Sequence, residues 1–313
     1  MTDVIDWLSD SDPSIRWQVL ADLTGAPPDV VDAERSRVAS EGWGARLLGL
    51  QQPDGSWSDV EPRTWLESPD GSTTYALTLL RHMGLDPASQ AARDSLARVK
   101  AGVTYIFQGA KPYFGGETEV CVNGMVLAVA AYFGEPDEAL IERLLGEQLD
   151  DGGWNCEAPP SVRSSFHSTI CVLEALLELE KTRPDSALAE SRKRGEGFML
   201  ERGLLRRKSD GEIIDEEWTR FSFPCGWHYD VLRGLDYLRS AGVTPDERVA
   251  EAVDLVAGSR QPDGRWLLGR ALPGLDADEE RFWNQLDFGM HEAEGEPSRW
   301  VTLRALRVLD WAR

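Results

Sequence analysis

The chain has no stretch approaching the roughly 18 consecutive apolar residues that a membrane-spanning helix needs. Its first residues, Met1, Thr2 and Asp3, lack the basic segment and apolar run of a secretory leader. No membrane span is expected, and the chain reads as cytoplasmic. Basic residues are scarce: 33 Lys and Arg stand against 54 Asp and Glu, a formal net charge of -21. That charge repels a nucleic-acid backbone and an anionic lipid surface alike, so neither is an expected partner. Cysteine is sparse too. The four thiols Cys121, Cys156, Cys171 and Cys225 in 313 residues do not make a disulfide framework and read as free thiols or metal ligands.

What is present is an ordinary globular composition, 42% hydrophobic and 28% charged, which excludes a disordered or fibrous chain. Length alone allows one large domain or two average ones. The repeats decide between them. A short phrase returns three times, as Gln51-Gln52-Pro53-Asp54-Gly55-Ser56-Trp57, Gln148-Leu149-Asp150-Asp151-Gly152-Gly153-Trp154 and Gln261-Pro262-Asp263-Gly264-Arg265-Trp266. Each copy closes a helix and opens a turn, with Gly taking backbone angles other residues avoid and Trp packing back on the helix end. Trp57 and Trp154 are 97 residues apart, two units of about 48, and periods of this size mean repeats that bury their cores against one another.

Between the turns two kinds of helix alternate. Val31 to Leu50 is amphipathic, with Val38, Trp43, Leu47 and Leu48 set among charges, whereas Val122 to Phe133 and Ser168 to Leu179 are apolar nearly all round. The first kind suits an outer ring and the second an inner ring. Inner helices are expected to begin near Ser14, Thr73, Val120, Phe166, Trp227 and Ser298, and outer helices to run roughly over 2–9, 30–50, 87–107, 136–148, 187–202 and 246–259. The expected fold is therefore all-α, a single (α/α)6 toroid of six inner and six outer helices over residues 1–313. Two loops exceed the repeat spacing, 204–225 and 267–297, as functional loops do.

The Gln-turn-Trp phrase resembles the QW repeat of squalene and oxidosqualene cyclases, whose toroid is shared with the β subunits of protein prenyltransferases. The resemblance extends over nearly the whole chain and implies fold more specifically than activity. Gln51, Trp57, Gln148, Trp154 and Trp266 are expected to hold helix ends together and to do no chemistry. The family's class II cyclases protonate an olefin with a DxDD motif; the nearest string here, Asp276-Ala277-Asp278-Glu279, ends in Glu within an acidic loop. Proton-initiated polyene cyclisation is disfavoured accordingly.

Residues at the first turns of inner helices face the mouth of the central cavity. The second inner helix offers Tyr75, the third Glu119, Cys121 and Asn123, the fourth His167, the fifth Trp227, His228, Tyr229 and Asp230, and the sixth Arg299 and Trp300. Prenyltransferase β subunits hold zinc with an Asp-x-Cys pair at one inner helix and a His at the next. Glu119-Val120-Cys121 resembles the first element, with Glu for Asp, and Phe166-His167-Ser168-Thr169 the second; Cys121 and His167 are 46 residues apart, one repeat. Thiolate with imidazole suits Zn²⁺. Cys156, just after the second turn phrase, supplies the remaining ligand, so Cys121, Cys156 and His167 are the expected metal ligands, with Glu119 or water completing the shell. Ordinary buried thiols are the competing reading, and Cys171 in particular reads as core.

His228, Tyr229, Asp230 and Glu119 are the candidate catalytic groups, since His can exchange a proton near neutral pH and Asp can orient it. Trp227, Trp300, Tyr75, Asn123 and Arg299 are the candidate substrate contacts; with Trp17, Trp65 and Trp283, the tryptophans suit aromatic walls around an apolar or cationic guest and suit plain packing equally. The function implied is a zinc-dependent enzyme acting on an isoprenoid or other apolar small molecule in the central cavity. Prenyl-diphosphate transfer is the weaker version, because only Arg16, Arg63, Arg163 and Arg299 stand out as phosphate contacts and no α-subunit partner is evident. A non-catalytic toroid binding a small molecule or peptide is the alternative. A polysaccharide hydrolase or lyase lacks its pair of dedicated carboxylates.

Overall fold

A computed structural model describes residues 2–106, 109–271 and 286–313. The Asp276 to Glu279 string and Trp283 lie outside them. Among the described residues the chain is helical, with a two-stranded ribbon pairing Thr104–Tyr105 with Lys111–Pro112.

Six of the described helices form an inner ring: α2 (Pro13–Asp22), α5 (Pro69–Met83), α7 (Val120–Tyr132), α9 (Phe166–Glu180), α11 (Val231–Ser240) and α13 (Arg299–Trp311). Outside them lie α1 (Thr2–Ser9), α3 (Pro28–Ser36), α4 (Gly42–Gly49), α6 (Gln90–Gly102), α8 (Glu138–Gly146), α10 (Ser186–Leu200) and α12 (Ala250–Gly258). Side-chain caps fix most starts: Asp12, Ser68, Asp230 and Ser298 accept from backbone N–H groups in the first turns of α2, α5, α11 and α13. The ring runs α2–α5–α7–α9 and α11–α13–α2 through helix packing, with Arg233 of α11 paired to Glu174 of α9 at 2.8 Å. It closes where Arg307 of α13 donates to Gln18 of α2 at 2.9 Å. The all-helical toroid expected from the repeats is thus the architecture observed.

Burial separates the two rings as the sequence pattern requires. Every residue of α7 from Val120 to Ala131 is buried, whereas α3 buries none. The α7–α9 contact is the tightest, because Gly124 lets the helices meet: a Cβ there would lie 2.6 Å from the Cys171 carbonyl carbon. The outer helix expected over 30–50 is in fact two, since Asp12 accepts from the Trp43 N–H at 2.7 Å and starts a new helix at Gly42. The fifth inner helix begins at Val231 rather than near Trp227, because Asp230 is its cap.

The three Gln-turn-Trp phrases build the same joint. Gly55, Gly152 and Gly264 hold φ of +92°, +101° and +88°, angles that side chains with a Cβ resist. Each indole N–H then donates 2.7 Å back into the preceding outer helix, to the carbonyls of Leu47, Leu144 and Val256. Each tryptophan's backbone N–H is received by a hydroxyl of the next inner helix, Ser72 at 3.4 Å and Thr169 and Thr302 at 3.0 Å. Gln51 and Gln148 each bridge the turn to the following outer helix. These side chains join outer to inner helix, which is a structural role.

Candidate functional site

At the rim where the inner helices begin, Glu119, Cys121 and Cys156 present one ligand atom each within 4.8 Å of one another. Glu119 is the N-cap position of α7 and Cys121 lies in its first turn, while Cys156 arrives from the loop before α9. The Cys156 sulfur accepts the Cys121 backbone N–H at 3.3 Å and sits 3.3 Å from the Ser168 hydroxyl. The Cys121 thiol approaches Glu119 at 3.7 Å. A hydrogen bond from the Cys121 side chain, then one from Ser168, brings the Cys156 thiol down to about 7 against the opposing effect of burial. The same pairing, with burial, drives Cys121 up. Cys156 is thus the more acidic of the two thiols, and its sulfur accepts the Cys121 N–H at the start of a helix that favours negative charge.

His167 does not join this group. Its Nδ1 accepts the Tyr229 backbone N–H at 2.9 Å and so holds the loop that enters α11. Its ring packs against Trp218, Trp227 and His228, at centroid distances of 5.7, 5.4 and 5.4 Å. The donor set that forms is Glu119, Cys121 and Cys156, in place of the Cys121, Cys156 and His167 expected from one-repeat spacing. The register that brings Cys121 and Cys156 together places His167 against the next helix, one step further round the ring.

His228, Tyr229 and Asp230 are adjacent in sequence but do different things. Asp230 is buried and caps α11, accepting from the N–H groups of Arg233 at 2.7 Å and Ser222 at 3.0 Å. The Tyr229 hydroxyl donates to the Leu204 carbonyl at 2.7 Å, beneath Phe166 and Trp218. His228 leaves a buried ring nitrogen, Nδ1, unpartnered among the described residues, and it borders a cavity of about 210 Å³ with His167, Asp215 and Arg270. Burial, and then His167, push its pKa down to about 3; burial, and then Arg233, push His167 down to about 4. Both imidazoles are neutral at pH 7.

The expected substrate contacts also separate. Asn123 is buried and bridges Glu117, accepting its N–H and donating to its carbonyl. Arg299 reaches the Asp10 carbonyl at 2.9 Å and ties α13 to the first helices. Tyr75 packs edge-on to Trp65 at 5.8 Å, at the same rim as Trp227, which stacks on His228 at 3.5 Å. Trp300 lies face to face with Phe223 at 4.2 Å and lines the space enclosed by the ring.

That interior differs most from the apolar cavity expected. Its volume is about 180 Å³, and besides the Phe223–Trp300 pair, Leu177, Cys225 and Tyr237 it is lined by eight charged side chains. Glu174 accepts from Arg233 at 2.8 Å and from Arg81 at 3.0 Å; Asp236 pairs with Arg304 at 3.2 Å. Burial opposes ionisation of Glu174, but Arg233 and Arg81 outweigh it and hold the carboxyl well below the usual carboxylate range. Of the arginines singled out earlier, Arg16 is spent on Glu34 and Arg299 on Asp10. The arginines inside the ring are Arg81, Arg233, Arg304 and Arg307. Their sequence signal was charge inside otherwise apolar helices, above all Arg304 and Arg307 one turn apart within Val301 to Val308.

No family model matches the chain, and no curated protein matches it. Among solved structures it is similar to apo type II terpene cyclase MstE from Scytonema, at 16% identity and a TM-score of 0.46, over 94% of this chain and 85% of that one. It is also similar to a variant of that cyclase in complex with its substrate geranylgeranyl dihydroxybenzoate, at 16% and 0.46 over 96% and 86%. A protein from Actinoplanes matches at 18% and 0.45, over 96% of this chain and 90% of that one. Likenesses this distant assign no role to any residue, and the roles below rest on this chain's own geometry.

Proposed function

We propose that the chain is a zinc-dependent enzyme working at the rim of the ring on a small molecule with an isoprenoid or other apolar body. The observation that carries the reading is the convergence of Glu119, Cys121 and Cys156. Two sulfurs and a carboxylate suit zinc, and three protein ligands leave one coordination position for water or substrate. Bound there, zinc would supply Lewis acidity or an activated nucleophile. The chain's own groups prepare the site: the Cys121 N–H and the Ser168 hydroxyl stabilise sulfur charge on Cys156. Tyr75, Trp65 and Trp227 give the rim its apolar surface. An apolar body belongs at this rim rather than in the charged interior.

Zinc analysis of purified protein tests the reading. About one zinc per chain is expected, lost in Cys121→Ala and in Cys156→Ala and retained in His167→Ala. Zinc-free wild-type protein that takes up none on addition would sink it. A non-catalytic ring that binds a small molecule is the second reading, favoured by the backbone duties of Tyr229, Asp230 and Asn123. Retention of zinc with no change in any bound compound would point there.

A further inference from the structure

The interior cavity carries an inference independent of the rim. Four polar atoms of the side chains lining it have no partner among the described residues: Arg81 Nε, His82 Nδ1, Trp300 Nε1 and Arg307 Nε. Three of these are donors by chemistry. The fourth follows from geometry. His82 Nε2 lies 3.1 Å from Arg81 Nη2, which can only donate, so Nε2 accepts and the single proton of the neutral ring is on Nδ1. All four are therefore donors, and buried donors without acceptors are rare enough to need an explanation. Trp300 and Arg307 are only 2% and 8% exposed, so bulk water does not supply one.

The charge balance has the same sign. Arg81, Lys181, Arg233, Arg304 and Arg307 line the cavity. Against them stand the carboxylates of Glu174, Glu178 and Asp236. Behind these, Asp22 pairs with Arg307, Arg239 with Asp236, and buried Asp230 acts on Arg304 and Arg233. An excess of one cation remains, and guanidinium groups are the natural partners of planar or tetrahedral oxyanions. The volume of about 180 Å³ is near the roughly 150 Å³ that admits a benzene molecule, so the guest is small.

We propose that the interior of the ring binds a small oxyanion, a carboxylate- or phosphate-bearing molecule of about benzene's size, on Arg81, His82, Trp300 and Arg307. The aromatic pair of Phe223 and Trp300 offers one apolar face beside the donors. The site needs no metal and shares no residue with Glu119, Cys121 or Cys156.

Calorimetric titration of the full chain at constant chloride ionic strength tests this, with inorganic phosphate in one arm and malonate in the other. One of the two should bind one to one with a Kd of about 1 mM or tighter, and the arm that binds identifies the anion class. Removing one donor to a charged acceptor should weaken binding about tenfold or more, in Arg307→Gln and in Trp300→Phe, the latter keeping its ring on Phe223. The proposal is overturned if neither anion binds the wild-type chain, if binding is undiminished in both variants, or if tetramethylammonium binds in preference to both anions.

Discussion

Glu174 of α9 ties its neighbour α11 to α5 across the ring, and its neutralisation tests whether the charged interior is a structural element. Its two oxygens accept from Arg233 of α11 and Arg81 of α5, at 2.8 and 3.0 Å. Glu174→Gln keeps the shape but leaves two guanidinium groups facing one amide, whose NH₂ must point at one of them as a second donor. Arg233 is only 4% exposed on its side chain, so solvent does little to screen the loss. Breaking a buried pair by removing one partner costs about 3–5 kcal/mol. For a chain of 313 residues a kilocalorie corresponds to roughly 1.5 °C, so Tm should fall by about 5–8 °C. Urea unfolding followed by circular dichroism measures the free energy directly. The exposed pair of Arg313 and Asp310, whose side chains are 70% and 64% accessible, is the control, and Arg313→Gln should change stability by less than about 0.5 kcal/mol. A loss below about 1 kcal/mol in Glu174→Gln would refute the reasoning and mean that water screens the interior.

Two further outcomes follow from the same structure. Trp57→Phe, Trp154→Phe and Trp266→Phe each remove an indole N–H from a buried helix carbonyl, so each should lose about 1–3 kcal/mol beyond the lost ring volume; similar losses are expected because the bonds are alike, and a neutral variant would deny the joint its role. Burial, and then Arg81, push His82 down to about 3, far below the 6.5 of an unfolded histidine. Between those values the unfolded chain binds the extra proton, so stability is fully present above pH 6.5 and falls as pH drops, with a slope approaching 1.4 kcal/mol per unit for this group alone. His82→Gln should flatten the urea-derived stability between about pH 6 and 4, and an unchanged slope would show that His82 is charged in the folded state.

The elements were legible because their signals are local. Asp-Gly turns and the contrast between α7 and α3 are written in residues a few positions apart, and the apolar runs that begin at Val120 and Phe166 mark their helix starts although neither has a side-chain cap. Outer-helix continuity over 30–50 was not legible, since the break depends on Asp12 reaching Trp43 from another helix. The candidate site was half legible. Spacing of one repeat put Cys121 and His167 on adjacent helices, but spacing does not specify which way an imidazole turns, and the Tyr229 N–H turns this one toward α11. Proximity in sequence likewise suggested that His228, Tyr229 and Asp230 work together, whereas a loop entering a helix sends successive side chains to different neighbours.

By itself the sequence determined the ring, because each repeat has an apolar face that only adjacent repeats can cover and three tryptophan joints that fix outer to inner helix. What lies inside the ring was decided by tertiary structure alone. Arg81, Glu174, Arg233, Asp236, Arg304 and Arg307 come from four helices, and the sequence marks them as charges within apolar helices without saying which of them meet. Only ring closure removes them from water together, and desolvated charges then hold one another, or a small anion, at energies that no local pattern encodes.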